Sequence, residues 1–335
     1  MKKAICENGG CLSKLGGNDL ASMLKNAQMM SGEVCSSNRV NDAFDDCAIV
    51  KVGCEQLLLT TDLNHPVGHD PHLAGRIAAL HAISDVYAMG GTPLFAIAQM
   101  VLDKDNPTDN GEQYMAGLYS ACYEERVTIV GGHTIISDKP IIGLSVIGVP
   151  TNNGVTYGKT GCVDGDAIWI SKPIGTAMVM RAYFNGLLAE ADYQEAIEIM
   201  TMSNRIALSL GDVDIHALTD VTGFGLLGHL SEMLKDGQGA CIHTEAVPFL
   251  SGVKELPYLQ VRTHFISENI AYLKKRRRMM AVLDSSQKLA LFDPQTNGAL
   301  LAVAPDSSSA VLQKHGFICI GRVVEGGEGS EIYIS

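Results

Sequence analysis

Short apolar runs alternate with glycine-, asparagine- and proline-rich breaks along most of the chain, and the spacing inside each run separates strands from helices. Leu57 to Thr61 reads as a strand. From Leu73 to Met89 the residues Ile77, Leu80, Ile83 and Tyr87 recur at helical spacing until Gly90-Gly91 ends the element. Leu94 to Val101 is again strand-like, and a polar turn leads to a helix over Glu112 to Glu125. A strand over Thr128 to Val130 runs into Gly131-Gly132, and Ile141 to Val149 forms a last apolar strand. Pro150-Thr151-Asn152-Asn153-Gly154 favours a turn over continued strand and is the predicted linker. Beyond it the alternation resumes, with a strand over Ala167 to Ser171, helices over Thr176 to Leu188, Tyr193 to Leu210 and Leu226 to Leu234, and strands near Leu300 to Val303 and Ile318 to Val323. The first forty residues are polar and rich in glycine, with one amphipathic stretch near Leu20 to Met30, so they predict a mobile arm and a short helix. The expected organisation is an α/β protein with mixed sheets: an arm over 1–40, one domain over 41–150 and a second over 151–335.

Composition narrows the class. With 46% hydrophobic and 19% charged residues in 335, the chain is globular rather than disordered. Thirty-five glycines against eleven prolines, without a G-X-Y period, suit many tight turns. Lys+Arg 25 against Asp+Glu 37 gives a net charge of −12, which disfavours a general nucleic-acid binder. The run Lys274-Lys275-Arg276-Arg277-Arg278 is read as a solvated helix face. No stretch reaches the ~18 apolar residues of a membrane helix and no secretory signal is evident, so a cytoplasmic protein is expected. Nine cysteines without a C-x-x-C pair match neither a disulfide framework nor a zinc site.

Two nucleotide signatures nearly appear. Gly154-Val155-Thr156-Tyr157-Gly158-Lys159-Thr160 has three residues between its glycines where a P-loop needs four, and reads as an exposed turn. Gly223-Phe224-Gly225-Leu226-Leu227-Gly228 fits G-x-G-x-x-G, with Glu245 near the distance of a ribose partner, but lies deep in the second half. More informative are acids at predicted element ends: Asp45-Asp46, Asp62, Asp85 and Asp220. Mg²⁺ takes hard oxygen ligands and bridges one or two carboxylates to substrate phosphates, so dispersed acids can form such a site without a local motif. Each acid taken alone is more often a cap or turn residue. In the arm, Cys11 follows Gly9-Gly10 and precedes Lys14, a setting of exposure and nearby positive charge that favours a thiolate.

These residues form a set. Asp45-Asp46-Cys47-Ala48, Thr60-Thr61-Asp62, Gly75-Arg76-Ile77-Ala78-Ala79, Ser84-Asp85-Val86-Tyr87-Ala88-Met89-Gly90-Gly91, Gly131-Gly132-His133, the block from Thr219 to His229, and Asp293-Pro294-Gln295-Thr296 together resemble the selenophosphate synthetase (selenide, water dikinase) family, in the same order and over nearly the whole chain. The resemblance implies a two-domain fold of the aminoimidazole-ribonucleotide-synthetase type and a homodimer formed through the N-terminal domains with ATP at that interface. It implies the reaction ATP + selenide + water → selenophosphate + phosphate + AMP. It also implies Mg²⁺ and K⁺ as cations and a selenium-delivery protein as partner. By resemblance Cys11 and Lys14 are catalytic. Asp46, Asp85 and Asp220 hold the metal. Lys14, Ala43, Phe44, Asp45, Asp62, Asp85, Gly131, Gly132 and His133 contact ATP. The chain departs from the family's pattern at Ser13, His81, the 261–269 segment and Asn297-Gly298-Ala299. The alternatives are an enzyme of the same fold using another small nucleophile, a silent ATP-binding paralogue and, last, a nicotinamide-dependent oxidoreductase.

Overall fold

A computed structural model describes residues 45–151, 156–326 and 330–335, with helical positions 22, 23, 26, 27 and 30; the expected arm is otherwise outside the described residues, as are 152–155 of the predicted linker. The first half runs β1 (Ala48–Val52), β2 (Glu55–Asn64), α1 (Pro71–Ala88), β3 (Gly91–Asp103), α2 (Pro107–Glu124), β4 (Thr128–Ser137) and β5 (Ile141–Pro150). Its sheet has the order β1-β2-β5-β3-β4, antiparallel throughout except that β3 and β4 are parallel. The second half runs β6 (Ala167–Ile170), α3 (Thr176–Phe184), α4 (Glu190–Met200), β7 (Ala217–Asp220), α5 (Gly225–Met233), β8 (Gln238–Ile242), α6 (Tyr258–Val261), α7 (His264–Arg276), β9 (Arg278–Met280), α8 (Ser286–Ala290), β10 (Leu300–Ala304), α9 (Ser309–Lys314), β11 (Ile318–Glu325) and β12 (Glu331–Ile334). These strands form a mixed sheet in the order β7-β10-β6-β11-β8-β12-β9.

Helix α1 organises the molecule. Asp70 caps it, accepting from the backbone N–H groups of His72 at 2.8 Å and Leu73 at 3.2 Å, with Pro71 at its first turn. At the other end Gly90, with φ +68, turns the chain straight into β3. The spacing of Ile77, Leu80, Ile83 and Tyr87 suggests one apolar face, yet 14 of the 18 residues are buried. The helix lies between two layers. Ala78, Leu80 and Ile83 share one core with Leu144 and Val146 of the first sheet and with Trp169, Leu218 and Ala302 of the second. The alternate residues Ile168, Ile170, Leu301 and Val303 point the other way, into a core with α3, α4 and α5. Strands β6 and β10 are therefore buried on both faces, and α1 carries its polar residues, His81, Ser84 and Asp85, inside the protein.

Several expectations are corrected. Gly131-Gly132 do not end a strand: they continue inside β4. Tyr193 to Leu210 is not one helix; α4 stops at Met200, and a separate 3₁₀ turn covers Arg205–Leu210 after Asn204, whose side chain is engaged with Ser84 and the Gly298 carbonyl. Helix α3 ends at Phe184 because Gly186, at φ +73, reverses the chain. Within the basic run Arg277 is buried and its guanidinium donates to the Leu234 carbonyl, while its four neighbours are exposed.

Candidate active site

Three carboxylates converge where the halves meet. Asp46 precedes β1, Asp85 sits near the C-terminal end of α1 and Asp220 ends β7, and one oxygen of each lies within 4.8 Å of the others. Each is held by a hydroxyl from a different element. Thr60 on β2 donates to Asp85, Ser84 on α1 donates to Asp220 Oδ2 at 2.6 Å, and Thr219 on β7 donates to Asp46 Oδ1 at 3.0 Å. Ser84 in turn accepts from Asn204 Nδ2 at 2.8 Å, which ties the arrangement to the second half.

The Asp46 side chain is only 4% exposed. Burial pushes its pKa up to about 7, with Asp220 adding to the rise, although the Lys159 ammonium 2.9 Å from Oδ1 opposes it. Lys159 also lies 3.5 Å from Glu232 Oε2. Burial acts against the charge on Lys159, but Asp46 and Glu232 outweigh it and hold the pKa above the ordinary lysine value. The stretch expected as an exposed turn thus sends its lysine into the acidic centre, while the Lys159 backbone N–H donates to Asp45 Oδ1 at 3.1 Å. Asp46 Oδ2 is buried and has no hydrogen-bond partner among the described residues. Three converging carboxylates with one oxygen left over fit a hard divalent cation such as Mg²⁺.

Asp62 lies inside β2, not beyond its end, and its Oδ2 is 3.3 Å from His81 Nε2. Gly131, Gly132 and His133 are elsewhere in the same sheet. Asp62 pairs with Leu144, Leu144 with Ala98, and Ala98 with Gly132, so Asp62 and Gly132 share one line across three strand spacings, about 14 Å. Within one chain they are on separate strands, and β4 is an exposed edge. Cys11, Lys14, Ala43 and Phe44 lie outside the described residues.

The remaining motifs are architectural. Gln295 Oε1 accepts from the backbone N–H groups of Gly175 at 3.0 Å and Thr176 at 3.1 Å, and Asp293 Oδ2 from that of Met178 at 3.0 Å. These two side chains cap α3, whose own preceding residue is glycine. In the 223–228 pattern a Cβ on Gly225 would meet the Phe292 backbone at 2.7 Å, and one on Gly228 would meet Phe224 at 2.7 Å, so these glycines serve close packing. Sequence reading missed Lys159 and the three hydroxyls; the signal available was a Ser or Thr directly before Asp85 and Asp220 and two places before Asp62.

Comparison with known proteins covers the same span. The AIR synthase related protein family matches with its N-terminal domain over residues 44–150 and its C-terminal domain over 163–334. A selenide, water dikinase of Rhizobium meliloti is 38% identical over 323 residues, covering 92% of this chain and 90% of that protein. One from Clostridioides difficile is 33% identical, covering 96% and 94%. Among solved structures, AaThiL complexed with AMPPCP and TMP superposes with a TM-score of 0.65 at 23% identity, covering 96% and 93%. The hydrogenase maturation protein HypE in complex with ATP gives 0.62 at 20%, covering 96% and 92%. At these identities the two structures speak to the fold.

Proposed function

Because the chain belongs to the AIR synthase related family and, within it, to the selenide, water dikinases, we propose that it makes selenophosphate from ATP, selenide and water, releasing AMP and phosphate. The observation that carries the site assignment is the triad of Asp46, Asp85 and Asp220, drawn from three elements into one buried cluster. Opening both phosphoanhydride links develops charge on several phosphate oxygens, and Mg²⁺ held by this triad would supply the neutralising charge. Thr60, Ser84 and Thr219 orient the carboxylates, and Lys159 balances Asp46. Asp45 and Asp62 contact the nucleotide. Cys11, as a thiolate, takes part in handling the selenide, and Lys14 neutralises phosphate charge. K⁺ accompanies Mg²⁺, a delivery protein supplies the selenide, and the enzyme works in the cytoplasm; among the described residues no helix is long and apolar enough to cross a membrane.

The working form is a homodimer. Helices cover one face of the first sheet, whereas on the other Leu63, Phe95, Ile97 and Ile135 are between 39% and 50% exposed. Apposing two such faces covers this apolar surface and draws the exposed edge strand β4, which carries His133, into the interface. ATP held there would reach nucleotide contacts that a single chain keeps apart.

The test is selenide-dependent AMP release under anaerobic conditions. AMP is expected only with selenide, and Cys11→Ser is expected to abolish it. AMP release unchanged by Cys11→Ser would remove the proposed thiol role; saturable ATP binding without AMP would point to a silent paralogue, and AMP release driven by sulfide instead would point to another nucleophile.

A further inference from the structure

His81 is fully buried in the middle of α1 and joins the two halves through hydrogen bonds whose polarity is fixed at one end. The backbone N–H of Asn297 lies 3.1 Å from His81 Nδ1. A peptide N–H can only donate, so Nδ1 is the bare, accepting nitrogen and the ring proton sits on Nε2. Nε2 faces Asp62 Oδ2 at 3.3 Å. Asp62 therefore meets a neutral imidazole that offers it an N–H.

Asn297 is held in place to do this. Its carbonyl accepts from Lys172 Nζ at 3.1 Å, and its amide Nδ2 donates to the Met200 and Met202 carbonyls at 2.7 and 2.9 Å. Lys172 Nζ donates to the Met202 carbonyl as well, at 2.6 Å. These bonds hold Asn297 at φ +47, a left-handed conformation that asparagine tolerates better than most residues. The chain of contacts runs from the second half, through one backbone N–H and one imidazole, to a carboxylate in the first sheet.

We infer that His81 is a positioning residue: the Asn297 N–H selects its tautomer, and the resulting Nε2–H fixes the orientation in which the Asp62 carboxylate meets the nucleotide. The 295–298 loop thereby sets nucleotide affinity without touching the nucleotide. This inference rests on the reading of Asp62 as an ATP contact.

Two measurements on the full chain test it. In calorimetric titrations with a non-hydrolysable ATP analogue and Mg²⁺, His81→Leu is expected to weaken binding about tenfold or more, the effect of losing a hydrogen bond to a charged group. His81→Gln, whose amide nitrogen can replace Nε2, is expected to bind within about threefold of the parent. Combining His81→Leu with Asp62→Asn should be no worse than Asp62→Asn alone, because the first residue acts through the second. The ¹⁵N resonances of His81 should show a pyridine-type Nδ1 and a pyrrole-type Nε2, a readout that stands even where His81→Leu does not fold. Additive losses in the double variant, unchanged affinity in His81→Leu, or a pyrrole-type Nδ1 would each overturn the inference. Absence of analogue binding by the parent protein would overturn the ATP reading on which the positioning role rests, whereas a pyrrole-type Nδ1 in a parent that binds the analogue would overturn the positioning role alone.

Discussion

Ser84 serves two partners at once, donating to Asp220 and accepting from Asn204, so its removal leaves both a carboxylate and an amide short of a bond inside the protein. Ser84→Ala is expected to cost about 1–3 kcal/mol in chemical denaturation and to lower selenide-dependent AMP release about tenfold. Lys172 makes a prediction of a different kind. Burial lowers its pKa from 10.5 to about 7, with Asp220 and Glu125 opposing. Between those two values the unfolded chain holds a proton that the folded protein does not, so this residue makes stability rise as pH increases from about 7 towards 10. In Lys172→Met that part of the slope should vanish, measured as the difference between the denaturation midpoints of parent and variant across the range. The acids were readable from the sequence because carboxylates at predicted element ends stand out locally. Lys159 and Lys172 were not, since what makes each one matter is a partner more than 70 residues away.

Helices α1 and α2 cross at two glycines. A Cβ on Gly75 would lie 2.2 Å from the Tyr114 carbonyl oxygen, and one on Gly117 would lie 2.0 Å from that of His72. Gly75→Ala is therefore expected to push the helices apart at a cost of about 1–3 kcal/mol. Because α1 carries Asp85, the same variant should also weaken Mg²⁺-dependent stabilisation, read as a smaller thermal shift on adding Mg²⁺. The α3 cap makes a parallel case: Gln295→Leu leaves two backbone N–H groups and the Thr176 hydroxyl without their acceptor, and about 1–3 kcal/mol should be lost. Elements were legible where apolar periodicity was strong, as in β2, α1, β5 and β11, or where an unbroken apolar run stood out, as in β10. The 293–296 motif was visible as a string of residues, but its role as a cap for a helix over a hundred positions earlier was not. The short strands β1, β7, β8, β9 and β12 escaped because 3 to 5 residues show no periodicity, and their pairing is supplied by distant partners.

The whole molecule is two sheets clasping α1, with an acidic centre at their junction and an uncovered apolar face on the first sheet. Ile97→Arg on that face is expected to shift the protein to a monomer in sedimentation velocity and to remove AMP release. Mixing Asp62→Asn with His133→Ala protein should then restore activity through heterodimers in which one site has both residues intact; no recovery would place the two in separate roles. The two-part α/β plan was legible because its motifs are strung along the chain in order, whereas the apolar face was not, since its residues alternate with buried ones along β2 and β3. The reaction itself is followed by ³¹P NMR of the purified protein incubated anaerobically with MgATP and selenide. A selenophosphate resonance that grows with AMP and phosphate, and that disappears in Asp46→Asn, is the predicted result; ATP that stays unconverted with selenide present would contradict it.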